Sequence, residues 1–168
     1  MSWKNCLRML RHRWAAWQRP PIPADMLQRL AERVAASERQ HTGQVRICVE
    51  GGLPASYLWR GATARERALT LFGKLRVWDT QANNGMLIYL LLAEHAIEIV
   101  ADRGLAQAVP SGTWETILGQ ISGKFRQLQY EEGLMQAIDA ITQQLATHFP
   151  RAIDARADNE LPDNPLVI

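Results

Sequence analysis

Eight consecutive apolar residues, Met86-Leu87-Ile88-Tyr89-Leu90-Leu91-Leu92-Ala93, constrain this chain more than any other feature. The run is too short to cross a bilayer, which takes roughly 20 residues of helix. It is also unbroken rather than alternating, so a strand made from it has no face fit for water. The segment must be a central strand covered on both faces, and the rest of the chain has to supply the covers.

The neighbouring sequence supplies them. Thr63-Ala64-Arg65-Glu66 has the Thr-x-x-Glu form of a capping box. The helix it starts turns Ala68, Leu71, Phe72 and Leu75 toward a core. After the apolar run, Ile97 and Ile99 mark a second strand. If Glu94-His95 is a two-residue hairpin loop, Ala93 pairs with Ala96, Leu87 lies opposite Asp102 and Asn84 opposite Leu105. Asp79, Asn83, Asn84 and Asp102 then meet at one end of the sheet; a longer connection shifts the register but keeps the end. Carboxylate and amide oxygens gathered this way suit a hard cation such as Ca²⁺ or Mg²⁺. Arg103 beside Asp102 offers an anion such as phosphate an alternative. The same residues are also ordinary turn formers, and Asp102 can cap the next segment of the chain.

Elsewhere, Leu27, Leu30, Ala31 and Val34 stripe a helix over residues 24–40, with Gly43 suited to a left-handed cap after it. Residues 44–50 alternate Val45, Ile47 and Val49 with Arg46, Cys48 and Glu50, which predicts a strand with one buried face. Residues 55–62 have no clear period, and Tyr57 and Trp59 are candidates to cover a sheet edge. Trp114, Ile117, Leu118, Ile121 and Phe125 stripe one further helix. Leu134, Ile138, Ile141 and Leu145 stripe another, which Pro150 ends. Helices on both sides of a short mixed sheet of about three to five strands predict a three-layer α/β/α sandwich over residues 24–150, with an irregular tail over 151–168.

The first 19 residues stand apart. They hold five Lys/Arg and no acid, whereas the remainder holds 14 basic against 17 acidic residues. The basic function therefore belongs to this segment, and the main domain is no general binder of polyanions such as nucleic acid. Trp3, Leu7, Leu10, Trp14 and Trp17 share one helical face, while Lys4, Arg8, Arg11 and His12 share another. Such a helix suits an anionic membrane surface; the stripe can equally pack on the domain or on a partner helix. Pro20, Pro21 and Pro23 make residues 20–23 a stiff linker.

No secretory signal or membrane-spanning run is visible, so the expectation is a cytoplasmic protein, peripheral to the inner face of the membrane if the first helix binds there. Cys6 and Cys48 show no ligand spacing and suit a reducing compartment. His12, His41, His95 and His148 show no zinc spacing, and nucleophile elbows and P-loops are absent.

Several short pieces carry a resemblance: Arg76-Val77-Trp78-Asp79-Thr80, Asn84-Gly85-Met86-Leu87-Ile88-Tyr89, Ile99-Val100-Ala101-Asp102-Arg103-Gly104, the Phe125 to Leu134 region and Asn159-Glu160-Leu161-Pro162-Asp163. From about Val45 onward the chain resembles the TPM domain family in its short, stand-alone bacterial form. The resemblance implies an α/β/α sandwich, divalent-cation binding as in some members, and acid phosphatase activity as in some thylakoid-lumen members. It implies Asp79, Asn84 and Asp102 as the cation ligands here, Ca²⁺ or Mg²⁺ as the cofactor, and a protein partner at a membrane. The expected function is a divalent-cation-binding accessory or interaction domain, with a weak metal-dependent acid phosphatase as the alternative.

Overall fold

The computed structural model describes residues 3–17, 22–152 and 159–168, and for residues 3–6, 16 and 17 it describes the backbone alone. The Pro20-Pro21 half of the expected linker, residues 153–158 of the expected tail and the side chains of Trp3, Lys4, Cys6 and Trp17 lie outside the described residues. The order of elements is α1 (Trp3–Trp17), α2 (Ala24–Glu38), β1 (Gln44–Glu50), α3 (Ala55–Trp59), α4 (Ala64–Lys74), β2 (Gly85–Leu91), β3 (Ala96–Ala101), α5 (Arg103–Ala108), α6 (Thr113–Arg126), α7 (Tyr130–His148) and β4 (Leu166–Val167).

The four strands form one sheet in the order β3-β2-β1-β4, with β1 parallel to β2 and β4, and β2 antiparallel to β3. Every residue of β2 is buried, as its composition requires. Its side chains divide by the period of two. Met86, Ile88 and Leu90 face a core shared with α2, α6 and α7. Leu87, Tyr89 and Leu91 face a second core shared with α3 and α4. Helices on both faces of a mixed sheet make the expected α/β/α sandwich. The Thr63–Glu66 capping box closes reciprocally at the start of α4.

Several expectations from the sequence are corrected. The β2–β3 connection is not two residues: a 3-10 turn over Leu92–Glu94 and a left-handed His95 (φ 51°) lengthen it. The register slips by two, so that Met86 pairs with Ala101 and Leu91 with Ala96. Strand β1 is buried on both faces, because Val45, Ile47 and Val49 enter the first core and Cys48 the second. The tail is not wholly irregular, since Leu166–Val167 supply β4. Gly43 is not a left-handed cap; a Cβ there would press on the Leu145 methyls, so close packing favours glycine.

Candidate functional site

The segments around Asp79, Asn84 and Asp102 meet at the end of the sheet where β1 and β2 begin and β3 finishes. Backbone hydrogen bonds join them. The Asp102 N–H donates to the Gly85 carbonyl (2.9 Å) and the Gly104 N–H to the Asn83 carbonyl (2.9 Å). The Arg103 guanidinium donates to Asn83 Oδ1 (3.1 Å), so Arg103 is already engaged with the turn. Asn83 sits in the left-handed region (φ 52°), where asparagine is tolerated better than most residues. Gly85 lies so close to the Val77 carbonyl that any Cβ would collide with it. The Asn-Asn-Gly sequence is therefore a requirement of the turn.

Two side chains at this junction are incompletely satisfied. Asn84 is fully buried, and its amide N–H donates to Thr42 Oγ1 (3.2 Å). Asp102 is 7% exposed, and its Oδ1 accepts the Arg103 N–H at the start of α5 (2.7 Å). The remaining oxygens, Asn84 Oδ1 and Asp102 Oδ2, are buried and find no donor among the described residues. A buried acceptor left unpaired costs roughly 1–3 kcal/mol, more when charged, so most native acceptors find partners. Acceptor-only oxygens suit a hard cation. Asp79, the third residue expected here, is exposed on the turn; its N–H donates to the Arg76 carbonyl (2.9 Å), and no hydrogen bond ties it to Asn84 or Asp102. Among the described residues, no three His, Cys, Asp or Glu side chains are grouped to hold a metal ion. Any cation here would rest on the Asn84 and Asp102 oxygens, with carbonyls or water completing its shell.

The approach to β1 at the same end is also polar and buried. Glu38 Oε1 accepts the Val45 N–H (2.8 Å), yet burial pushes this carboxyl up to about 7. His41 is enclosed between the Gly43 carbonyl at Nδ1 (3.1 Å) and Ser37 Oγ at Nε2 (2.8 Å). Burial brings it down to about 4, so it is a neutral ring with both nitrogens bonded. Neither residue carries a motif that sequence reasoning could have caught.

The opposite end, where β1 and β2 finish, holds groups that no sequence motif marks. Arg67 donates from Nε to Glu50 Oε2 (2.9 Å) and from its terminal nitrogen to Oε1 (2.7 Å), and the Tyr89 hydroxyl donates to Oε2 (2.6 Å). All three residues are buried. Burial foremost, with Glu50 adding to it, pushes the neighbouring Cys48 thiol up to about 12, so it is unreactive. Glu94 accepts from Arg8 Nε (2.8 Å) and His12 Nε2 (2.9 Å). Led by the His12 hydrogen bond, these partners hold its carboxyl down at about 2.

The TPM domain family matches this chain over residues 22–144. The NMR structure of BA42 protein from the psychrophilic bacterium Bizionia argentinensis superposes with a TM-score of 0.75 at 24% sequence identity, covering 88% of this chain and 95% of that one. At that identity the likeness speaks for the fold alone. No curated protein gives a significant match.

Proposed function

The chain belongs to the TPM domain family, and from that premise we propose that it is a divalent-cation-binding accessory domain working with membrane-associated protein partners. The observation that carries the cation reading is the pair of donorless buried oxygens, Asn84 Oδ1 and Asp102 Oδ2, on two segments joined by the Asp102–Gly85 hydrogen bond. Ca²⁺ or Mg²⁺ would neutralise the Asp102 carboxylate and satisfy both oxygens at once. Asp79, exposed on the adjoining turn, would be the second carboxylate and the third side chain of this site.

Thermal unfolding of the full chain, titrated with Ca²⁺ and Mg²⁺, tests this. A saturable rise in melting temperature is expected, corresponding to about 2.7 kcal/mol at a hundredfold excess over the dissociation constant. Asp102→Asn should remove it. A rise that persists undiminished in that variant moves the cation elsewhere, and no rise at all dismisses the reading. The weak metal-dependent phosphatase is the second reading, and it rests on the same oxygens: a cation there would polarise a phosphoryl oxygen. Phosphate release no faster than that of an Asp79→Asn/Asp102→Asn control would eliminate it.

A further inference from the structure

Helix α1 is docked with its faces the opposite way round from an ordinary amphipathic helix on a globular domain. Its polar side packs inward. His12 is 1% exposed: its Nδ1 accepts the Leu53 N–H (3.0 Å), which leaves the proton on Nε2 to be donated to Glu94 (2.9 Å). Arg8 reaches Glu94 (2.8 Å) and the Ala62 carbonyl (2.7 Å). Gly52 passes so close to the His12 carbonyl that a Cβ would collide with it. The Gly51-Gly52 bend is therefore the seat of the helix.

The apolar side faces away. At about 100° per residue, Leu7, Leu10 and Trp14 share one stripe, and His12 lies roughly opposite its centre. Leu7 is 50%, Leu10 59% and Trp14 63% exposed. Exposed large side chains in a row, rather than singly, mark an interaction surface. Charge narrows the choice of partner. The same spacing places Arg11 and Arg13 on either flank of the stripe, and both are exposed. Residues 1–19 contain five Lys/Arg and no acid. Among the described residues the one carboxylate paired with this helix, Glu94, is already shared among Arg8, His12 and, at 3.8 Å, Arg11. Tryptophan and leucine flanked by arginine match the boundary between anionic headgroups and acyl chains.

We infer that this outward face of α1 is a seat for an anionic lipid surface, against which the helix lies flat while its polar side stays fixed to the domain. No helix among the described residues is long and apolar enough to cross a membrane, so attachment through α1 is peripheral. The inference stands apart from the cation site, which lies at the other end of the sheet, and it fails or survives independently of it.

Co-sedimentation of the full chain with phosphatidylcholine vesicles, with and without about one-third phosphatidylserine, tests it in metal-free buffer. Binding is expected on the anionic vesicles and not on the neutral ones, and it should weaken as salt rises. Leu10→Ser/Trp14→Ser should lower it at least about tenfold, with the melting temperature unchanged because both side chains are exposed. Arg11→Gln/Arg13→Gln should lower it by a similar factor. Absence of binding, equal binding to neutral vesicles, or binding that survives Leu10→Ser/Trp14→Ser would each overturn the inference. So would a concentration-dependent dimer in sedimentation velocity that this variant abolishes, because the stripe would then be covered by a second copy.

Discussion

The two ends of the central strands treat buried polar groups in opposite ways. Where β1 and β2 finish, two carboxylates are met by donors. Glu50 holds Arg67 and Tyr89, and Glu94 holds Arg8 and His12. Where the same strands begin, burial outweighs pairing. Glu38 is pushed up to about 7, His41 is brought down to about 4, and one oxygen each of Asn84 and Asp102 has no donor among the described residues. The first end resembles a clamp: its desolvation cost is offset inside the protein, and it closes the sheet against α4 and α1. At the second end two buried oxygens find no donor among the described residues. Buried charge therefore does not by itself mark a site; what marks it is which atoms remain unanswered.

The clamp gives the largest expected effect. Arg67→Met leaves the Glu50 carboxylate buried with Tyr89 as its remaining side-chain donor. Breaking a buried pair from one side costs about 3–5 kcal/mol. Urea denaturation should show that loss, and Glu50→Gln/Arg67→Met should regain more than half of it, because the stranded charge is then gone. A loss under about 1 kcal/mol for Arg67→Met would mean that this end is no clamp and would erase the contrast.

Acid and base should separate the ends next. Glu94 has a folded value of about 2 against an ordinary 4.5. A depressed carboxyl contributes stability above its unfolded value and loses it as pH falls through the folded one. The clamp end therefore weakens between about pH 4.5 and pH 2. Glu38 has the reverse sign. With about 7 folded against 4.5, it costs nothing below pH 4.5, and its penalty grows until it is complete above pH 7. His41, about 4 folded against 6.5, contributes stability above pH 6.5 that is lost toward pH 4. Glu38→Gln keeps an acceptor for the Val45 N–H but cannot ionise. It should match the parent protein near pH 4 and exceed it at pH 8 by on the order of 1–3 kcal/mol. Denaturant midpoints at the two pH values decide it, and a variant less stable at pH 8 would show that Glu38 is held charged by a partner.

Much of this architecture was legible in the chain. The unbroken run of β2, the stripes of α2, α6 and α7 and the Thr63–Glu66 box each dictate an element from local pattern alone. The end where Asp102 meets the Asn83-Asn84-Gly85 turn was legible too, because a hairpin returns the chain to the same end whatever its register. The register itself was not, since it depends on His95 entering the left-handed region after a 3-10 turn. The clamp was invisible for a different reason. Glu50 ends an alternating strand and Arg67 lies on an amphipathic helix, and both positions read as solvent-facing until α4 docks on the sheet and pairs them. The outward stripe of α1 inverts the usual rule, because His12 and the Gly51-Gly52 seat, with Met9 the apolar contact beside them, fix which face is buried.

The smallest effect provides the sharpest comparison, because the same chemical change can be made at both ends. Glu50→Gln and Asp102→Asn each turn a carboxylate into an amide of nearly equal size. At the clamp the change removes the counter-charge of a buried guanidinium and should cost about 2 kcal/mol or more. At Asp102 the Oδ1 acceptor for the Arg103 N–H survives, while the charge on the donorless Oδ2 disappears. The relief of that buried charge opposes the loss of a negative group at the start of α5, a term of about 0.3–1 kcal/mol. With a chelator present the two should nearly cancel, leaving the urea midpoint shifted by less than about 0.5 kcal/mol. Adding Ca²⁺ or Mg²⁺ should then separate parent from variant, because only the parent gains binding energy. If Asp102→Asn in chelator cost as much as Glu50→Gln, Asp102 would be a structural cap, and both ends of the sheet would serve the fold alone.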